Sequence, residues 1–204
     1  MSNYINQLVK YFFLFMSPFL VIFGIFFYFK EYTHFDKIIE SQSKSTDVLY
    51  GPGISETAFS YKNKLLIKNK TNFYIIGSSR VLQFRQYQFK NRGLNLGGAI
   101  NNIYDFSYFV DKVVKRNPKF ILIGIDFWWF NEIYNENSYN KRFNYKIKHR
   151  KLPNFFDVNV FFRWFSKQFN PAIQFFEKEI NNKNFGVLGF FNEGYDFFGS
   201  YYNT

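Results

Sequence analysis

The sequence predicts an α/β protein in which a parallel sheet is flanked by helices and preceded by one N-terminal transmembrane helix. Three observations carry this. Residues 11–29 are 19 consecutive side chains without a charge. Between residues 72 and 125, short apolar runs alternate with stretches of helical period. Each apolar run meets a glycine at its end: Gly77, Gly97 and Gly124. Strands alternating with helices imply a parallel sheet joined by right-handed crossovers.

The chain has 204 residues, enough for one domain of ordinary size plus a short extra element. It is 47% hydrophobic and 25% aromatic with 32 Phe, which provides for a substantial core and excludes global disorder. Phe, Tyr, Asn, Lys and Ile are all abundant, the bias of a genome rich in A and T, so the aromatic excess need not be a ligand-stacking device. A net charge of +11 favours anionic partners. The basic residues are scattered, with clusters at 62–70 and 141–151, and no zinc-finger spacing, RNP-type signature or basic heptad region accompanies them. A membrane surface or an acidic glycan therefore fits the charge at least as well as nucleic acid, which is not an expected partner. The absence of cysteine excludes disulfides, thiolate catalysis and Cys-ligated metals.

The uncharged run is bounded by Lys10 on one side and by Lys30 and Glu31 on the other, the length a helix needs to cross hydrocarbon. Pro18 near its middle is tolerated in membrane helices, where neighbouring groups re-satisfy the freed carbonyl. A buried helix of a globular core would keep a polar stripe, and here only Ser17 and tyrosine hydroxyls are polar. The following FFYFKEY contains no small-x-small cleavage site, so residues 1–30 read as an uncleaved signal anchor.

Residues 31–70 read as a polar connector, with a helix at about 35–41, another before Leu66, and Gly51, Pro52 and Gly53 as punctuation. Residues 71–204 read as the α/β domain. Its first strand is 72–76, followed by a turn at Gly77-Ser78-Ser79-Arg80 and a helix through Phe89. A second strand, 93–96, ends at Gly97-Gly98, and the apolar period of Ile103, Phe106, Phe109, Val110, Val113 and Val114 predicts a helix over 101–117, ended by Pro118. The third strand, 120–125, is wholly apolar, the pattern of a strand covered on both faces. Beyond it come an aromatic run at 127–130, a basic loop through Lys151, helices near 154–168 and 171–181, and a Gly- and aromatic-rich tail at 186–204. No internal repeat is present.

Parallel α/β sheets bind ligands at the carboxyl ends of their strands. Here those ends carry Gly77-Ser78-Ser79, Gly97-Gly98 and Gly124-Ile125-Asp126. A serine at a strand-to-helix turn sits beside free amides and the positive end of a helix dipole, where a developing oxyanion is stabilised. The plainer role for such a serine is an N-cap. Asp105, Asp111 and Asp126 have no metal-binding spacing, and neither a metal nor a cofactor is expected.

Together the blocks YIIGSSRV, LNLGGAINN and PKFILIGIDFWWFN resemble the SGNH/GDSL hydrolase superfamily, in particular the membrane-anchored envelope branch that includes D-alanyl-transfer and alginate O-acetylation proteins. The resemblance spans roughly residues 71–131, with a weaker echo in the tail. It implies a three-layer, flavodoxin-like sheet, with Ser79 as nucleophile and Ser78 in the variable middle position. The oxyanion would be held by the amides of Ser79 and Gly98, or Gly97 if the alignment slips by one. The family usually offers an Asn where this sequence has Asp126, whose carboxylate would repel an oxyanion unless protonated or turned away. The family's Asp-x-x-His pair is absent, and the only histidines are His34 and His149. The sequence is therefore expected to stop before its last catalytic block and to turn over little.

The implied function is O-acyl transfer or deacylation of a bacterial cell-envelope polysaccharide or glycolipid, with the soluble domain on the periplasmic or extracellular side. The alternative is a catalytically inactive scaffold or glycan-binding partner in an envelope complex. Expected partners are membrane lipid, an acylated glycan or other acyl donor or acceptor, and envelope proteins.

Overall fold

The computed structural model of the chain describes residues 2–31, 33–52, 58–131 and 180–202, with backbone only for Ser2, Asn3, Ile22, Phe23, Ile25 and Phe26. The basic loop through Lys151, the helix expected at 154–168 and most of that at 171–181 lie outside the described residues.

The chain is mixed α/β. In order it forms α1 (Ser2–Tyr28), α2 (Phe35–Lys44), α3 (Ala58–Lys68), β1 (Phe73–Gly77), β2 (Leu94–Asn95), α4 (Ile103–Val114), β3 (Phe120–Gly124), the four-residue α5 (Val187–Phe190), and a hairpin of β4 (Gly194–Tyr195) and β5 (Tyr201–Tyr202). Strands β2, β1 and β3 form a parallel sheet in that order, with Tyr74 opposite Leu94 and Gly77 opposite Gly124.

β1 is the central strand, and all five of its residues are buried. β3 differs from expectation: Phe120 is 58% exposed and Ile123 is 44% exposed. Among the described residues it pairs only with β1, so burial on both faces belongs to the middle strand.

α4 follows its apolar period and seals Phe109 and Val113 against Tyr74 and Ile76. Its N-terminus is closed by Asn102, whose side chain accepts from the amides of Tyr104 (3.1 Å) and Asp105 (2.8 Å), a cap worth about 1 kcal/mol. A positive φ of 51° at Asn117 and then Pro118 keep the chain from continuing as helix. α2 and α3, from the stretch read as connector, enter the same core through Ile38, Ile39, Phe59, Tyr61, Leu65 and Leu66.

α1 leaves this core with its described apolar side chains exposed, apart from the half-buried Met16. Among the described residues, no helix is long and apolar enough to cross a membrane. In α1 the described side chains are interrupted at positions 22, 23, 25 and 26, all of them apolar in the sequence. The helix meets the domain at an elbow. Phe29, 2% exposed, is buried with Val187, Phe190 and Phe191. Lys30, at φ 56°, donates to the Asn182 carbonyl (2.7 Å), and the Glu31 carboxylate accepts from the Val187 amide (2.8 Å).

Candidate functional site

The helix expected after β1 is instead two short 3-10 helices, Ser79–Gln83 and Gln86–Gln88. Side chains from elsewhere take carbonyls that a longer helix would need. Asn95 Nδ2 donates to the carbonyls of Val81 (2.6 Å) and Phe84 (3.0 Å), and Ser200 Oγ donates to that of Phe84 (2.9 Å). One short 3-10 helix provides little of the dipole that an α-helix would bring to the turn.

The strand-end glycines have a packing cause. A Cβ on Gly77 would lie 2.8 Å from Val81 Cγ1, and one on Gly97 would lie 2.5 Å from Val81 Cγ2. One on Gly124 would also run into Val81. All three strand ends are thus bare so that one buried valine can sit among them and bring the first 3-10 helix down onto the sheet.

The turn residues divide the serine roles. Ser78 is buried and is the cap, its hydroxyl accepting from the Arg80 amide (3.3 Å). Ser79 is the first residue of the 3-10 helix and is exposed, so the capping role falls to its neighbour. The two glycine amides of the second turn are engaged. Gly97 donates to Asn95 Oδ1 (2.8 Å), and Gly98, at φ 76°, donates to the Ser78 carbonyl (3.1 Å). An oxyanion held by Gly98 would have to displace that carbonyl.

Asp126, two residues past β3, is 3% exposed. Its Oδ1 lies 3.6 Å from Arg80 Nε, and the Arg80 guanidinium lies 4.8 Å from the centre of the Trp128 ring. Its Oδ2 is buried and has no hydrogen-bond partner among the described residues. One carboxylate oxygen is thus turned to a cation, which offsets its charge at the rim. Asp105 instead accepts from the Asn101 amide (3.1 Å) and belongs to the start of α4, while Asp111 is exposed on that helix. Among the described residues, no group of His, Asp and Glu could hold a metal ion. His34 is exposed at the N-terminus of α2, and His149 lies outside the described residues.

One cluster was not anticipated. Lys62 is wholly buried on α3, donating to the carbonyls of Asn95 (2.9 Å) and Gly199 and lying 4.4 Å from the centre of the Tyr195 ring. Burial pushes its amine down to about 7, against the smaller opposing pull of Asp196. Burial pushes Asp196 up to about 6, offset by the Ser200 amide and by Lys62. Beside them the Tyr61 hydroxyl, its pKa raised by burial, donates to Gln42 Oε1 (2.8 Å). The available signal was the spacing: Lys62 falls on the apolar stripe formed by Phe59, Leu65 and Leu66, where a lysine is out of place.

The described residues define a mixed α/β chain with a three-stranded parallel sheet and an exposed serine beyond its central strand. Comparison with protein-family models, curated proteins and solved structures gives no match.

Proposed function

We propose that the protein is a membrane-anchored, SGNH-type protein acting in O-acyl transfer or deacylation of a cell-envelope polysaccharide or glycolipid, with Ser79 as nucleophile. The supporting observation is the company that Ser79 keeps. Exposed beyond the central strand, it is joined to the second turn by the Gly98–Ser78 hydrogen bond and to the third by the Arg80–Asp126 contact. The order β2-β1-β3 also agrees with the start of the doubly wound order 2-1-3-4-5, which supports the three-layer, flavodoxin-like reading.

In this mechanism Ser79 Oγ attacks the acyl carbonyl and gives its proton to water, and the bond from the carbonyl carbon to the leaving oxygen breaks as that oxygen takes up a proton. Water or a glycan hydroxyl then attacks the acyl-serine, carrying off the acyl group and restoring the Ser79 hydroxyl. The amides of Ser79 and Gly98 hold the oxyanion once the Ser78 carbonyl has given way. The test is hydrolysis of 4-nitrophenyl acetate by the full chain and by Ser79→Ala. Loss of turnover to background in the variant is expected, and equal turnover in both would remove the nucleophile.

A second reading, an anchored scaffold or glycan-binding partner in an envelope complex, is favoured by the two glycine amides already being engaged. It expects no ester hydrolysis from either chain, together with retention of an acetylated polysaccharide by both. Failure to bind the polysaccharide would end it.

The anchor is residues 1–30, with the domain on the periplasmic or extracellular side. α1 has 27 residues, about 40 Å at 1.5 Å each, and its residues from Tyr11 to its end at Tyr28 carry no charge. The protein is expected to stay with membranes through alkaline carbonate washing, and release into the supernatant would overturn the anchor.

A further inference from the structure

Among the described residues, Asn95 hydrogen-bonds at once to the segment that follows the first glycine turn, to the second glycine turn and to the C-terminal hairpin. Its side chain donates from Nδ2 to the carbonyls of Val81 and Phe84, in and just after the 3-10 helix that begins at Ser79. The same side chain accepts through Oδ1 from the Gly97 amide. Its backbone amide donates to the Phe198 carbonyl (2.7 Å), and its backbone carbonyl accepts from Lys62. Asn95 is 2% exposed, and a planar amide with one acceptor and two donors satisfies all three side-chain contacts at once. Asp would lack the donors, and Leu would lack both.

We infer that Asn95 is the positioning residue of the candidate site, setting the place of Ser79 relative to the Gly97-Gly98 turn, and that the hairpin 194–202 is the clamp that holds Asn95 in register. What is being positioned rests on the function proposed above; the clamp itself does not. The hairpin is applied to this point from several sides. Phe198 takes the Asn95 amide, Ser200 Oγ shares the Phe84 carbonyl with Asn95 Nδ2, and Lys62 spans from Asn95 to Gly199. Gly199, at φ 81°, has no room for a side chain, because a Cβ there would run into the Asn95 carbonyl. The tail therefore acts on the first 3-10 helix and the second turn through one residue of β2.

The experiment compares the full wild-type chain with Asn95→Asp and Asn95→Ala, using amide hydrogen exchange and labelling of Ser79 by a fluorophosphonate. In the labelling, Ser79 oxygen bonds to phosphorus, fluoride leaves and the hydroxyl proton goes to solvent. Asn95→Asp keeps the acceptor for Gly97 and puts an oxygen against the two carbonyls. Its Phe84 amide is expected to exchange at least tenfold faster while Gly97 stays protected, and Ser79 labelling, read at a temperature where both chains are folded, is expected to fall at least tenfold. The melting temperature is expected to drop as well, because the Val81 and Phe84 carbonyls lose a donor and face a carboxylate oxygen. In Asn95→Ala both amides are expected to speed up. If Asn95→Ala does not fold, Asn95→Asp alone decides. Wild-type exchange at Phe84 in the folded Asp variant would overturn the positioning role. If wild-type Ser79 takes no label, the acyl-transfer reading fails, and the exchange rates still decide whether Asn95 orders the two turns.

Discussion

Lys62→Ala is expected to lose about 3 kcal/mol or more of folding stability, because it leaves two buried carbonyls without donors, at about 1–3 kcal/mol each, and opens a void where the side chain was. Urea unfolding reads the loss directly. A midpoint equal to wild type would show that the amine holds nothing. Lys62→Met, which keeps most of the volume, should fall between the two.

The same residue predicts an unusual pH profile. Lys62 releases its proton near pH 7 in the folded chain but near the ordinary lysine value of 10.5 in the unfolded one. Its contribution to stability is therefore present above 10.5 and is lost as pH falls toward 7. Asp196 acts in the opposite sense: its pKa rises from 3.8 to about 6 on folding. Its contribution is complete below 3.8 and is lost as pH rises through about 6. The pair thus places a trough of stability between about pH 6 and 7. Melting temperatures of Lys62→Met should lack the part of the upward limb above pH 7 that belongs to this lysine. Parallel wild-type and variant curves from pH 7 to 10 would contradict the assignment.

Gly51→Ala is the second large effect. An added Cβ would run into the Glu193 carbonyl oxygen and the Gly189 amide nitrogen and come within 2.7 Å of the Leu188 carbonyl carbon, all of them backbone atoms. No rotamer change relieves contacts of that kind. Gly51 also donates to the Phe185 carbonyl (2.9 Å) and accepts from the Leu188 amide (3.1 Å), so separating the strands sacrifices hydrogen bonds. A loss of about 3 kcal/mol or more is expected, with faster proteolysis in the 180–194 stretch. Wild-type resistance there would mean that the backbones can part at little cost.

The sheet was legible because its signals are local. Short apolar runs meeting glycine marked 72–76, 93–96 and 120–125, and the strands are Phe73–Gly77, Leu94–Asn95 and Phe120–Gly124. The apolar period of Ile103 to Val114 marked α4 for the same reason. What escaped depends on residues distant in sequence. The segment after β1 has no local break strong enough to exclude a helix, and Asn95 and Ser200 take its carbonyls from 11 and 116 positions away. The three glycines were visible, yet only the fold reveals that Val81 occupies the space they leave. Which apolar strand would be buried throughout depended on strand order, which composition does not encode. Ser79 was legible as a position; the engagement of the Gly97 and Gly98 amides was not, since each depends on a partner in the folded turn.

The elbow at Phe29–Glu31 has a mechanical consequence. A chain tethered by a slack linker would swing like a buoy on its mooring. Here the ring of Phe29 is wedged beside Phe190, and Lys30 and Glu31 are fastened to Asn182 and Val187 on the far end of the sequence. Torque on α1 therefore passes straight into the 182–191 segment rather than being lost in a joint.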